Sequence, residues 1–130
     1  KSNERIERPH FWFSVIGQYG QIFGANMALD GLAPEAIEGD GLLSCRFKSV
    51  PLVPQQYTIR MAIRDSVGRA IFDPRDIGYF TIFGAMADYG FRGARADHLV
   101  RWSPPIIVPY EWHFEDGEIV SVQLSSLSDQ

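Results

Sequence analysis

Three stretches alternate with a period of two, and they set the frame for the rest of the chain. In 10–16, Phe11, Phe13 and Val15 share one face while His10, Trp12 and Ser14 share the other. In 57–65, Tyr57, Ile59, Met61 and Ile63 alternate with Thr58, Arg60, Ala62 and Arg64. In 77–83, Phe80 and Ile82 oppose Tyr79, Thr81 and Phe83. A period of two, filled by aromatic and β-branched residues, predicts strands. Shorter runs at 21–24, 42–50, 70–72, 106–108 and 118–124 extend the pattern. In 42–50 the inward positions are Leu43, Cys45 and Phe47, which places the thiol in the interior. Asp73-Pro74 is expected to end the 70–72 segment.

Between these runs lie turn signals. Gly17-Gln-Tyr-Gly20 joins the first two strands as a hairpin, and Ser66-Val-Gly68 joins two more. The segment 25–41 is loop-like, with room for one helical turn over 32–38 beginning near Pro34. Residues 1–8 are polar and fit a linker or a sheet edge, and 84–105 is expected to be a long loop carrying Arg92, Arg95, Arg101 and Trp102. Seven or eight short strands and no long helix predict one all-β domain over residues 1–130, an antiparallel Ig-like or jelly-roll β-sandwich.

Composition narrows the function. The 130 residues carry a formal charge of −4, so the basic footprint of a nucleic-acid surface is missing overall. Ten of the twelve cationic side chains are Arg, which suits recognition surfaces and equally suits a biased base composition. The single cysteine excludes an internal disulfide. No apolar run reaches the roughly 18–20 residues that span a bilayer, so direct membrane insertion is not expected. The chain opens at Lys1, as expected of a piece of a larger protein.

Reactive chemistry finds little support. His10, His98 and His113 have no partner at zinc-type spacing, so no metal is expected. Phosphate-binding glycine loops and the GxSxG elbow are missing, so neither a cofactor nor a catalytic residue is assigned. Asp73 and Asp76 are the one pair of acids that a carbohydrate-active enzyme would use, and turn acids ordinarily cap backbone. What remains is aromatic and cationic. If Phe11, Phe13 and Val15 point inward, Trp12 points outward, as do Arg60 and Tyr79 on their strands. Aromatic rings stack on the C–H face of a sugar and Arg donates to hydroxyls, so the trio suits a glycan. Outward aromatics equally mark a protein interface, and the alternation leaves both readings open. Trp102, Arg92 and Arg101 on the long loop form a second set of candidates.

The segment Pro51-Leu-Val-Pro-Gln-Gln-Tyr57, running on through Thr-Ile-Arg-Met-Ala-Ile-Arg-Asp65, resembles the core of one family. That family is the C-terminal carbohydrate-binding domain of the ATP-binding subunit of bacterial O-antigen polysaccharide ABC transporters (Wzt-type). Pro9-His-Phe-Trp-Phe-Ser-Val-Ile16 with Gly20-Gln-Ile-Phe-Gly24-Ala-Asn26 resembles its hairpin, and Ala70-Ile-Phe-Asp73 with Tyr79-Phe-Thr-Ile82 its closing strands. A weaker echo falls at Pro109-Tyr-Glu-Trp112. Gln55-Gln56 stands where the family has a Gly before the Tyr.

The resemblance implies a β-sandwich that binds an exported polysaccharide on the cytoplasmic side of the inner membrane. It also implies a transporter nucleotide-binding domain in the parent chain. The chain starts where the family would already have passed one or two strands, so an unfilled sheet edge is expected, open to strand exchange between two copies, and a homodimer is the expected assembly. A β-sandwich that only dimerises, without binding sugar, is the rival reading.

Overall fold

The computed structural model describes residues 1–115, 117 and 119–121. The protein is all-β, built from antiparallel sheets. Among the described residues, eight strands run in the order β1 (Ser2–Glu7), β2 (His10–Gly17), β3 (Gly20–Asn26), β4 (Ala36–Gly39), β5 (Gln56–Arg64), β6 (Ala70–Thr81), β7 (Glu111–His113) and β8 (Ile119–Ser121). They fall into two compact units. Unit 1 comprises Lys1–Arg46 and Tyr57–Phe80, and unit 2 comprises Phe47–Gln56 and Thr81–Gln130.

Unit 1 holds a four-stranded sheet of order β3-β2-β5-β6 and a two-stranded ribbon of β1 with β4. Register follows the alternation read from the sequence. Phe11 lies opposite Ile63 and Phe13 opposite Met61, so four apolar side chains share one face of the sheet. These four, with Ile37 of β4, line a cleft of about 610 Å³ between sheet and ribbon. Two layers facing across apolar side chains are a sandwich in the ordinary sense. Beside them Val15 is buried and Tyr57 is fully so, its ring stacked on Phe80 at a centroid distance of 5.4 Å.

Close backbone packing fixes the β2–β3 hairpin. Gly24 pairs with Ser14, and a Cβ at Gly24 would run into the carbonyl of Phe13. The chain then turns through α1 (Met27–Asp30), where the Asn26 side chain accepts from the Ala28 amide at 2.9 Å. The β5–β6 hairpin is closed by Asp65, whose carboxylate accepts from the amides of Val67 (3.0 Å) and Arg69 (2.9 Å) and from the Arg69 guanidinium (3.0 Å). Those donors stabilise the anion, the Arg69 amide most strongly, and hold its pKa below the ordinary aspartate value.

Several local expectations are corrected. The helical turn forms at Met27–Asp30 and not over 32–38, where β4 appears instead. Asn26 caps the earlier position with its own side chain, and Pro34 has no such partner among the described contacts. Asp73-Pro74 does not end a strand, because β6 is a sheet edge and runs unbroken through Pro74. Only on an edge can the missing proline N–H be lost without removing a ladder bond. Residues 42–50 make no strand and Cys45 is exposed. Alternation supplies an amphipathic ribbon, but a strand also needs a ladder of backbone bonds, and no ladder forms over 42–50 among the described residues. Residues 106–108 contribute one isolated bridge, Leu52 with Ile106, while the 111–113 strand was not signalled. The first residues form a paired strand, β1. Of the expected 118–124 strand, Ile119–Ser121 is seen and 118 and 122–124 lie outside the described residues.

Candidate functional site

Unit 2 has its own small core of Val53, Met86, Tyr89 and Ile107, with Phe91, Ala96 and Val100 packed against it. The segments 51–53 and 105–107 run beside each other, with the Val53 amide donating to Pro105 O and the Ile107 amide to Pro51 O, both at 3.0 Å. The expected long loop folds onto this core as short turns. A 3₁₀ turn, Met86–Tyr89, ends at Gly90, whose φ of 93° is accessible to glycine at little cost. Next comes α2 (Ala96–Leu99) and then a second 3₁₀ turn, Val100–Trp102. The Asp97 carboxylate ties α2 to the first turn by accepting from the Met86 amide at 2.7 Å.

Gln55 ties down the second turn. Its side-chain amide donates to Val100 O at 2.7 Å and to Ser103 O at 3.1 Å. The residue standing where the resembled family has glycine nearby is therefore the clamp on the 96–103 segment, a role that no periodicity signals.

These turns line a groove of about 1060 Å³, just above the roughly 300–1,000 Å³ typical of ligand clefts. Its floor includes Val53, Met86 and Ile107, and its rim carries Phe91, Arg92, Arg95, Tyr110 and Trp112. The Tyr110 and Trp112 rings meet edge to face, with centroids 6.2 Å apart and planes at 88°. Trp112 sits in the middle of β7, opposite Val120 of β8, and is 61% exposed. Its neighbours Glu111 and His113 bond each other at 3.1 Å. A wet aromatic pair at the mouth of an apolar groove, flanked by two guanidiniums, can hold a flat apolar surface and its polar edge together.

The first candidate trio lies in unit 1. The strand order sets β5 between β2 and β6, so Trp12, Arg60 and Tyr79 occupy neighbouring strands. Register puts Trp12 opposite Ala62 and Arg60 opposite Ser14, on one face of the sheet. That face is not an open platform. Ser14 and Ala62, which separate Trp12 from Arg60, are both buried, and Trp12 is half-buried with the Arg64 guanidinium 5.9 Å from its ring centroid. Arg60 is engaged by Asp76 at 2.8 Å, while Tyr79 is 71% exposed on the edge strand.

Of the second set, Arg92 lines the groove of unit 2. Trp102 is exposed in the second 3₁₀ turn and, like Arg101, is not among the groove-lining residues. Arg95, Tyr110 and Trp112 were not among the candidate binding residues, although the Pro109–Trp112 echo pointed at two of them. Among the described residues no cluster of three His, Cys, Asp or Glu side chains is placed to hold a metal ion, and no helix is long and apolar enough to cross a membrane. Compared with protein-family models, with curated proteins and with solved structures, the chain matches none.

Proposed function

We propose that this chain is a non-catalytic carbohydrate-binding domain that recognises a polysaccharide for export by an ABC transporter, with the groove of unit 2 as its binding site. The observation that carries the reading is the convergence of Tyr110, Trp112, Arg92 and Arg95 on one apolar groove. Sugar rings offer an apolar C–H face and a rim of hydroxyls, and that rim of aromatic and guanidinium groups answers both. The export context and the nucleotide-binding partner rest on the resemblance of 9–83 to the transporter domains, with which the all-β fold agrees.

A glycan array followed by titration of intrinsic tryptophan fluorescence tests the reading. At least one polysaccharide should bind saturably, Trp112→Ala should weaken it by about fivefold or more, and Trp12→Ala should leave it intact, since loss of one stacking ring costs on the order of 1 kcal/mol or more. Loss of binding in Trp12→Ala alone would move the site to the sheet of unit 1. A folded protein that binds no member and whose sedimentation mass falls in Trp112→Ala would establish the dimerisation module in its place.

A further inference from the structure

Resting on the glycan reading, we propose that the groove of unit 2 selects a negatively charged glycan, whose acidic substituents are held by Arg92 and Arg95. Arg92 and Arg95 are the only charged side chains lining the groove, and no carboxylate lines it among the described residues. In a chain with a net charge of −4 this local excess runs against the overall balance.

Five of the other eight arginines have a carboxylate or a ring beside them, and Arg8 and Arg46 lie outside the groove. Arg5, Arg60 and Arg69 each lie within 4.0 Å of a carboxylate, and Arg64 and Arg75 stand over aromatic rings. Arg92 and Arg95 have neither kind of partner among the described residues, and both are exposed. The acids closest in sequence to the groove segments are already committed. Asp97 accepts from the Met86 amide at 2.7 Å, and Glu111 bonds His113 at 3.1 Å.

Both arginines lie on one short segment lining the groove: the Ala96 amide donates to Gly93 O at 3.1 Å, which closes a tight turn with Arg92 just before it and Arg95 within it. Guanidinium binds carboxylate and phosphate through paired N–H donors, and apolar walls such as Leu99 and Ile107 strengthen the field at the rim. Hydroxyls alone would leave that charge unanswered. A uronic-acid carboxylate and a phosphodiester share the required chemistry.

The test uses the whole chain and paired probes: pectate against fully methyl-esterified pectin for the carboxylate, and phosphomannan against neutral mannan for the phosphate. In at least one pair the acidic member should bind about tenfold or more tighter at low salt, an advantage that shrinks as salt is raised. Which pair responds identifies carboxylate or phosphate. Arg92→Gln with Arg95→Gln should bring the acidic member down to the level of its neutral counterpart measured on the same variant, with the melting temperature unchanged. Equal or tighter binding of the neutral members, or an acidic advantage that survives the double substitution, overturns the proposal while leaving the glycan reading in place. Failure of every glycan on the array overturns the glycan reading itself.

Discussion

Replacing Gln55 with alanine removes a side-chain amide that holds two carbonyls of one turn, Val100 O at 2.7 Å and Ser103 O at 3.1 Å. The backbone carbonyl of Gln55, which accepts from the Ile82 amide at 3.0 Å, is untouched, so the loss is confined to the 96–103 segment. A neutral hydrogen bond contributes a net 0.5–1.5 kcal/mol or so, and two of them set the expected cost at about 1–3 kcal/mol. Hydrogen exchange is the direct assay. The amides of Leu99 and Ser103, bonded to Arg95 O and Val100 O, should exchange roughly 5- to 150-fold faster, while those of β2 and β5 keep their rates. Gln55→Glu separates the hydrogen bonds from mere bulk. A glutamate of nearly the same shape has no donor above its pKa of about 4.3 and would set a negative charge against two carbonyl oxygens, so it should loosen the turn at least as much as alanine at pH 7. If Gln55→Glu protected the 96–103 amides as well as the native residue does, the clamp would be side-chain packing and the reasoning would be wrong.

Gly24→Ala should destabilise the protein by about 1–3 kcal/mol, seen as a lowered melting temperature, because its Cβ meets the rigid carbonyl of Phe13 and not a side chain that can swing aside. Asp65→Asn should flatten the acid limb of the stability profile. The carboxylate pKa is lower in the folded chain than in the unfolded one, so its contribution is complete above the unfolded value near 3.9 and fades as pH falls through the folded value. Carboxyl-detected NMR titration should place the Asp65 midpoint below that of an ordinary aspartate, and a midpoint at or above 3.9 would contradict the turn geometry.

The β2–β5 pair of unit 1 was legible because both strands state their own orientation. Phe11 and Phe13, like Met61 and Ile63, recur at every second position, and the pairing then sets apolar against apolar. Alternation went wrong where a second condition mattered. Residues 42–50 carry the pattern but form no strand ladder among the described residues, and β6 runs on through Pro74 because an edge strand can tolerate it. Exposure was legible only in part: Trp12 and Arg60 do share a face, yet Ser14 and Ala62 on that face are buried, and periodicity says nothing about what lies above a sheet.

The groove of unit 2 escaped the sequence for a different reason. Its residues come from the 53, 86–103 and 104–112 stretches, which have no common period, and they meet through particular bonds such as Gln55 to Val100 O and Asp97 to the Met86 amide. Arginines on a loop were visible in the sequence, but their lack of carboxylate partners was not, since that depends on where Asp97 and Glu111 spend their own hydrogen bonds. In the proposed site the tasks are divided: Asp97 and Glu111 bond the Met86 amide and His113, and neither pairs with Arg92 or Arg95 among the described residues. Substituting Asp97 should therefore disturb the groove by loosening Met86 and α2, whereas substituting the arginines should change what the groove binds and leave its shape intact.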